Sequence, residues 1–200
     1  MQLAGRRRRA LALAAFLSAG GLQAADLPQP LRDQVQACAK CHGEHGNLTT
    51  ANVPSLAGQP PTFFELQMIL FREGLRASRE MQPIAGGMSD AEISALAAYY
   101  AAQKPRPPAG RPDKALYAKG RALAQKHHCG SCHLPDYRGR AQMPRLAGQR
   151  EDYLAAAMTA YRDNQRSGSD TSMNGVMYGI SNADIRALAH YLARHGAAVR

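Results

Sequence analysis

Along most of the chain apolar residues recur at intervals of three and four, the spacing that lines one face of a helix. In residues 61–76, a stretch entered at proline, Phe64, Met68, Phe71 and Leu75 share a face. After Ser89, with Glu92 three residues on as in a capping box, Ile93, Leu96, Ala97 and Tyr100 do the same. Later stretches repeat the pattern: Leu116, Leu123 and Ala124 within residues 114–127, then Leu154, Met158 and Tyr161. After Ser181 come Ile185, Leu188, Ala189 and Leu192, with Asp184 in the place of the capping acid. A shorter helical stretch covers residues 31–39. No segment sustains the period-two alternation of a half-buried strand, so the expected class is all-α.

These helices form two sets. Pro54-Ser55-Leu56-Ala57-Gly58-Gln59 returns 90 residues later as Pro144-Arg145-Leu146-Ala147-Gly148-Gln149, and the stretch from Ser89 to Tyr99 returns 92 residues later as Ser181 to Tyr191. Small loop insertions account for the drift. Two copies make a tandem duplication rather than a solenoid, which needs at least three units. Residues 103–112, with four prolines, read as a semi-rigid spacer. The expected domains are residues 26–104 and 113–200, joined by a linker at 105–112.

The chemistry sits near the start of each copy. Cys38-Ala39-Lys40-Cys41-His42 and Cys129-Gly130-Ser131-Cys132-His133 have the Cys-x-x-Cys-His spacing of c-type haem attachment. Two thiols one helical turn apart can each add to one of two neighbouring vinyl groups on a porphyrin edge, and the next histidine can then bind the iron. A zinc site, a redox dithiol or a disulfide framework would leave a histidine after both pairs unexplained. All four cysteines of the chain lie inside the two motifs. The reading is two covalently attached haem c groups, on Cys38 and Cys41 and on Cys129 and Cys132, with His42 and His133 as axial ligands.

The opposite axial position decides the use. Met81 and Met173 each stand eight residues before the serine that opens the last helix of their copy; Met88 and Met177 do not match each other in this way. Met68 and Met158 correspond but sit mid-helix, where core packing is the usual role. Met81 and Met173 are therefore the expected second ligands. His45, His127, His128, His190 and His195 have no counterpart in the other copy and read as surface residues. A soft thioether favours ferrous iron and raises the reduction potential, and two filled axial positions leave no open site for oxygen or peroxide. That suits an electron carrier better than an enzyme. Pro54 and Pro144 are placed to offer a carbonyl to the histidine ring N–H, and Arg72 and Arg162 to pair with haem propionates.

Arg6–Arg9, an apolar run from Ala10 to Ala19 and Leu22-Gln23-Ala24 form a signal-peptide pattern over residues 1–25. The run is too short to span a bilayer, which takes about 20 residues, and no later stretch is long and apolar enough. Removing the four leader arginines lowers the formal charge from +10 to +6. Residues 26–104 carry six Lys+Arg against eight Asp+Glu, and residues 113–200 thirteen against seven. Halves of opposite sign suggest oriented docking to two unlike partners. No basic run is interleaved with aromatics, which argues against nucleic acid.

Taken in order, the two Cys-x-x-Cys-His motifs, the Pro-x-Leu-Ala-Gly-Gln stretches, the methionines eight residues before Ser-Asp/Asn-Ala and the tyrosine-bearing helix ends resemble cytochrome c4. The resemblance implies two class I cytochrome c folds packed with their haem edges facing. It implies a periplasmic electron carrier between a cytochrome bc1-type complex or a dehydrogenase and a terminal oxidase. A related alternative is the cytochrome subunit of a periplasmic dehydrogenase, such as a flavin-containing sulfide dehydrogenase. One departure stands out. The helix before Cys38 lacks the glycine that lets first and last helices cross closely, a place Gly120 fills in the second copy.

Overall fold

The computed structural model describes residues 27–47, 50–166 and 171–196; the leader expected at 1–25 lies outside them. Among the described residues nine α-helices appear in order: α1 (Gln29–His42), α2 (Pro61–Arg72), α3 (Met81–Ala85), α4 (Asp90–Ala101), α5 (Lys114–Lys126), α6 (Cys129–His133), α7 (Glu151–Arg162), α8 (Ser172–Met177) and α9 (Asn182–Arg194). There is no strand among them, as the apolar spacing predicts.

The side chains divide into two cores, one for each copy. Val35, Phe64, Met68, Phe71, Ile93, Leu96 and Tyr100 form the first. Ala124, Leu154, Met158, Ile185, Leu188 and Leu192 form the second. The predicted inner faces of α4 and α9 are almost wholly buried, and Met68 and Met158 pack in the interior. Leu75 is a correction: it is 70% exposed, because α2 stops at Arg72 and Gly74 turns the chain in a left-handed conformation (φ 69°).

Helix starts follow the sequence closely. Ser89 accepts the Glu92 N–H (3.3 Å) and Glu92 accepts the Ser89 N–H (2.8 Å), completing a capping box. Ser181 accepts the Asp184 N–H (3.2 Å), while the shorter Asp184 carboxylate takes up the Ser181 hydroxyl (2.9 Å).

The copies differ where helices enter the cysteine motif. α1 runs unbroken through Cys38 and Cys41 to His42. α5 stops first, His128 takes a left-handed conformation, and α6 carries the second motif. The expected close crossing exists in the second copy: a Cβ on Gly120 would stand 2.0 Å from the Ala187 carbonyl oxygen and 2.6 Å from Tyr191 Cβ. In the first copy the helices meet through longer side chains, Gln34 Nε2 donating to Glu92 Oε1 (2.5 Å).

An aromatic exchange accompanies this difference. Gly46, at φ 71°, lies 2.9 Å (from an added Cβ) from the Tyr100 ring. The second copy has Tyr137 in place of Gly46 and Leu192 in place of Tyr100, so the ring enters from the loop. Tyr137 then packs edge-on against Tyr191, 5.7 Å between centroids.

Candidate haem sites and the seam between the copies

In each copy a histidine is buried at the end of the motif helix, His42 at 7% and His133 at 4% exposure. A carbonyl oxygen can only accept, so each ring carries its proton on Nδ1. His42 Nδ1–H donates to the Pro54 carbonyl and His133 Nδ1–H to the Pro144 carbonyl, both at 2.9 Å. These are the two prolines that open the repeated loop. Burial holds both imidazoles below the usual histidine range, against the opposing pull of the carbonyl bond. Each ring is thus fixed in one tautomer with the Nε2 lone pair free. His133 Nε2 is buried without any hydrogen-bond partner, a state that costs about 1–3 kcal/mol unless something binds there.

The thiols fit the same group. All four cysteines are free; Cys38 and Cys129 are half-buried against the two cores, and Cys41 and Cys132 are exposed. Burial raises the Cys38 and Cys129 thiols above their usual pKa. Among the described residues no three His, Cys, Asp or Glu side chains converge as a zinc cage requires.

Met81 opens α3 and Met173 stands second in α8; both are half-buried against the core of their copy. The 92-residue shift that aligns them also pairs Met88 with Ile180 and Met177 with Ala85. Neither isoleucine nor alanine can ligate iron; Met177 lies in the second core and Met88 packs against the first.

Several side chains do other work than expected. Arg72 Nη1 donates to the Met88 carbonyl (3.1 Å) and to Asp90 (2.7 Å), and Arg162 Nη1 to the Ile180 carbonyl (3.1 Å) and Asn182 (2.6 Å). They close the methionine-bearing segment onto the last helix. The histidines are a further correction. His190 is 5% exposed, its Nε2 accepting the Asp113 N–H (3.0 Å) and its Nδ1 meeting Glu151 (3.1 Å). His45 bonds to the Tyr99 hydroxyl (2.9 Å), and His195 packs edge-on against Tyr137, 4.8 Å between centroids.

Two arginines that periodicity did not single out, Arg76 and Arg166, correspond at the 90-residue shift. They meet at the Tyr153 hydroxyl, each at 3.2 Å, and both reach Gln67 Oε1 (2.5 and 3.4 Å). Burial alone would raise the Tyr153 pKa, but the guanidiniums of Arg166 and Arg76 bring it down to about 8. Among the described residues neither arginine has a carboxylate in salt-bridge range, and Arg166 Nε is buried without a partner. The signal was present: residues 71–76 and 161–166 read Phe/Tyr-Arg-x-x-x-Arg.

The repeated loops also face each other. Ser55 N–H donates to Gln149 Oε1 (2.8 Å) and Gln149 Nε2 donates to the Ser55 carbonyl (2.9 Å). Reciprocally, Arg145 N–H donates to Gln59 Oε1 and Gln59 Nε2 to the Arg145 carbonyl, both at 3.0 Å. This is a pseudo-two-fold seam inside one chain, self-complementary as in a symmetric dimer. Gln149 Oε1 also accepts the Arg150 N–H (2.8 Å); the residue after Gln59 is Pro60, which has none to give.

Two family models match, the one described as cytochrome c over residues 117–195 and the one described as cytochrome c oxidase, cbb3-type, subunit III over residues 26–99. Cytochrome c4 of Pseudomonas aeruginosa is 34% identical over 166 residues, 78% of this chain and 82% of that one. The chain belongs to the cytochrome c4 family. The crystal structure of reduced recombinant cytochrome c4 from Pseudomonas stutzeri superposes with a TM-score of 0.73 at 32% identity, covering 82% of this chain and 96% of that chain. A thiosulfate dehydrogenase electron acceptor of Thiomonas intermedia is 33% identical over 171 residues, 80% of this chain and 79% of that protein. Like cytochrome c4, the protein is an all-α pair of cytochrome c domains with two covalent haem c groups. It is an electron-transfer protein and not an enzyme. No helix among the described residues is long and apolar enough to cross a membrane.

Proposed function

We propose that the protein is a periplasmic carrier that passes single electrons through two six-coordinate His/Met centres towards a terminal oxidase. The observation that carries this is the paired geometry: two buried histidines, each locked by a proline carbonyl, with a methionine at the same place in each copy. In this reading the thiols of Cys38, Cys41, Cys129 and Cys132 hold the two groups, and the groups supply the one-electron ferric/ferrous couple.

The chain's own residues do the rest. His42 and His133 present Nε2 in a fixed direction; Met81 and Met173 present a thioether from α3 and α8. Arg72 and Arg162 anchor those segments to the last helix, so a change of iron charge meets little rearrangement. Arg76 and Arg166, half-buried and without a carboxylate in salt-bridge range among the described residues, are suited to the anionic propionate edge. The domain limits that fit are residues 26–104 and 113–200 with the linker at 105–112, where Asn47 grips the Lys104 carbonyl (3.0 Å) and the Arg106 N–H (2.7 Å).

The Thiomonas relative favours a second reading, in which the electron donor is a dehydrogenase of a small sulfur oxyanion. Stopped-flow reduction separates the two. A carrier serving the respiratory chain is reduced by a bc1-type complex and reoxidised by a terminal oxidase without a dehydrogenase present. Reduction only by a co-purifying dehydrogenase would establish the second.

A further inference from the structure

The two histidine sites and the seam between the copies share atoms. The Pro54 carbonyl that accepts from His42 and the Ser55 N–H that donates to Gln149 are the two ends of one peptide group. Likewise the Pro144 carbonyl that accepts from His133 and the Arg145 N–H that donates to Gln59 belong to one peptide. Each chain of bonds starts at an axial histidine and ends, one peptide plane later, on a glutamine of the other copy.

We infer that Gln59 and Gln149 are positioning residues that set the reduction potential of the opposite copy's haem, Gln59 through His133 and Gln149 through His42. This rests on the proposal that those histidines bind iron. Hydrogen bonds in series polarise one another, so an acceptor on the peptide N–H makes the carbonyl oxygen at its other end more negative. The carbonyl then draws harder on the Nδ1 proton, the imidazole becomes a stronger donor to iron, and the ferric state gains. Each glutamine therefore holds the opposite potential down.

The surroundings let this bond matter. Gln59 is 6% and Gln149 4% exposed, and the space around them has no room for a water molecule. Without the glutamine the peptide N–H has no substitute acceptor from solvent. A consequence is that the resting potentials belong to the docked pair of domains.

The test is a redox titration of the holoprotein in which each haem is followed by its own paramagnetically shifted NMR signals. Gln149→Met keeps the volume and removes the acceptor; the expected result is an upward shift for the haem on His42 and no change for that on His133. Gln59→Met gives the mirror result. In each variant the opposite histidine's Nδ1–H also exchanges faster with solvent. Asp152→Ala removes a different seam contact, the Asn52 N–H bond (3.0 Å), and leaves both potentials in place. Shifts confined to the mutated copy, equal shifts in both copies, or none would overturn the inference. If the wild type retains two His/Met spectra in that case, the carrier reading stands and only the relay fails.

Discussion

Replacing Gly120 by alanine tests whether the second domain depends on a backbone-to-backbone crossing of α5 and α9. The added Cβ would lie 2.0 Å from the Ala187 carbonyl oxygen, 2.6 Å from Tyr191 Cβ and 2.7 Å from the Ala187 carbonyl carbon, where ordinary contact begins at 3.4 Å. Two of those atoms are backbone, so no rotamer change relieves the overlap, and the helices must part by more than an ångström. α9 is buried continuously from Ala187 to Ala193, and that whole face would be disturbed.

Overpacking of this kind costs about 1–3 kcal/mol, and here the larger value applies because the obstacle is main chain. The gain in helix propensity offsets about 1 kcal/mol. A net loss of about 2 kcal/mol lowers the urea midpoint of the second domain by about 1 M, taking m near 2 kcal/mol/M. As a control, alanine at the exposed Gln29 of α1 should change stability by no more than about 0.5 kcal/mol. Urea titrations of the holoprotein followed by circular dichroism check both. A Gly120→Ala variant as stable as the wild type would refute the close-crossing argument.

Three other outcomes follow from local structure. Ser89→Ala removes the capping box of α4 and should cost about 1 kcal/mol in denaturant titration, with Ser181→Ala costing less for want of the reciprocal bond. His190→Leu strands the Asp113 N–H and part of Glu151, and should destabilise the second domain by about 1–3 kcal/mol. Asp152, bonded first by Arg150 and also by the Asn52 and Tyr153 N–H groups, has its carboxyl held below the usual range. Its stabilisation is complete above the unfolded pKa of about 4 and is lost as pH falls through the lower folded value. Asp152→Asn should therefore lower the urea midpoint at pH 7, with the difference shrinking as pH falls below about 4; a difference that stays constant would contradict the assignment.

Much of this was legible along the chain because the fold is repeated. A motif that occurs twice can be aligned with itself, and the alignment pairs Met81 with Met173 while leaving Met88 and Met177 without methionine counterparts. The apolar faces of α4 and α9 were equally plain, since residues that are buried on one side recur at helical spacing. What stayed hidden has a common physical cause. The short helices α3, α6 and α8 are too brief to show a period, and α2 ended early because Gly74 turns the chain where the apolar pattern ran on to Leu75. His190 reads as a surface residue because it lacks a counterpart, yet its partners, Asp113 and Glu151, lie 77 and 39 residues away. Arg76, Arg166, Gln59 and Gln149 act across the seam, and contacts between copies leave no mark on the spacing within either copy.

The central claim is that Met81 and Met173 complete the two iron sites, and carbon monoxide binding to the reduced protein tests it most directly. The wild type should not bind the gas rapidly at either haem. Met81→Ala and Met173→Ala should each open one haem to it and lower that haem's potential, while Met88→Ala and Met177→Ala, at packing positions, should open neither. Rapid binding by the wild type, or an opened haem in Met88→Ala with Met81→Ala unchanged, would contradict the account.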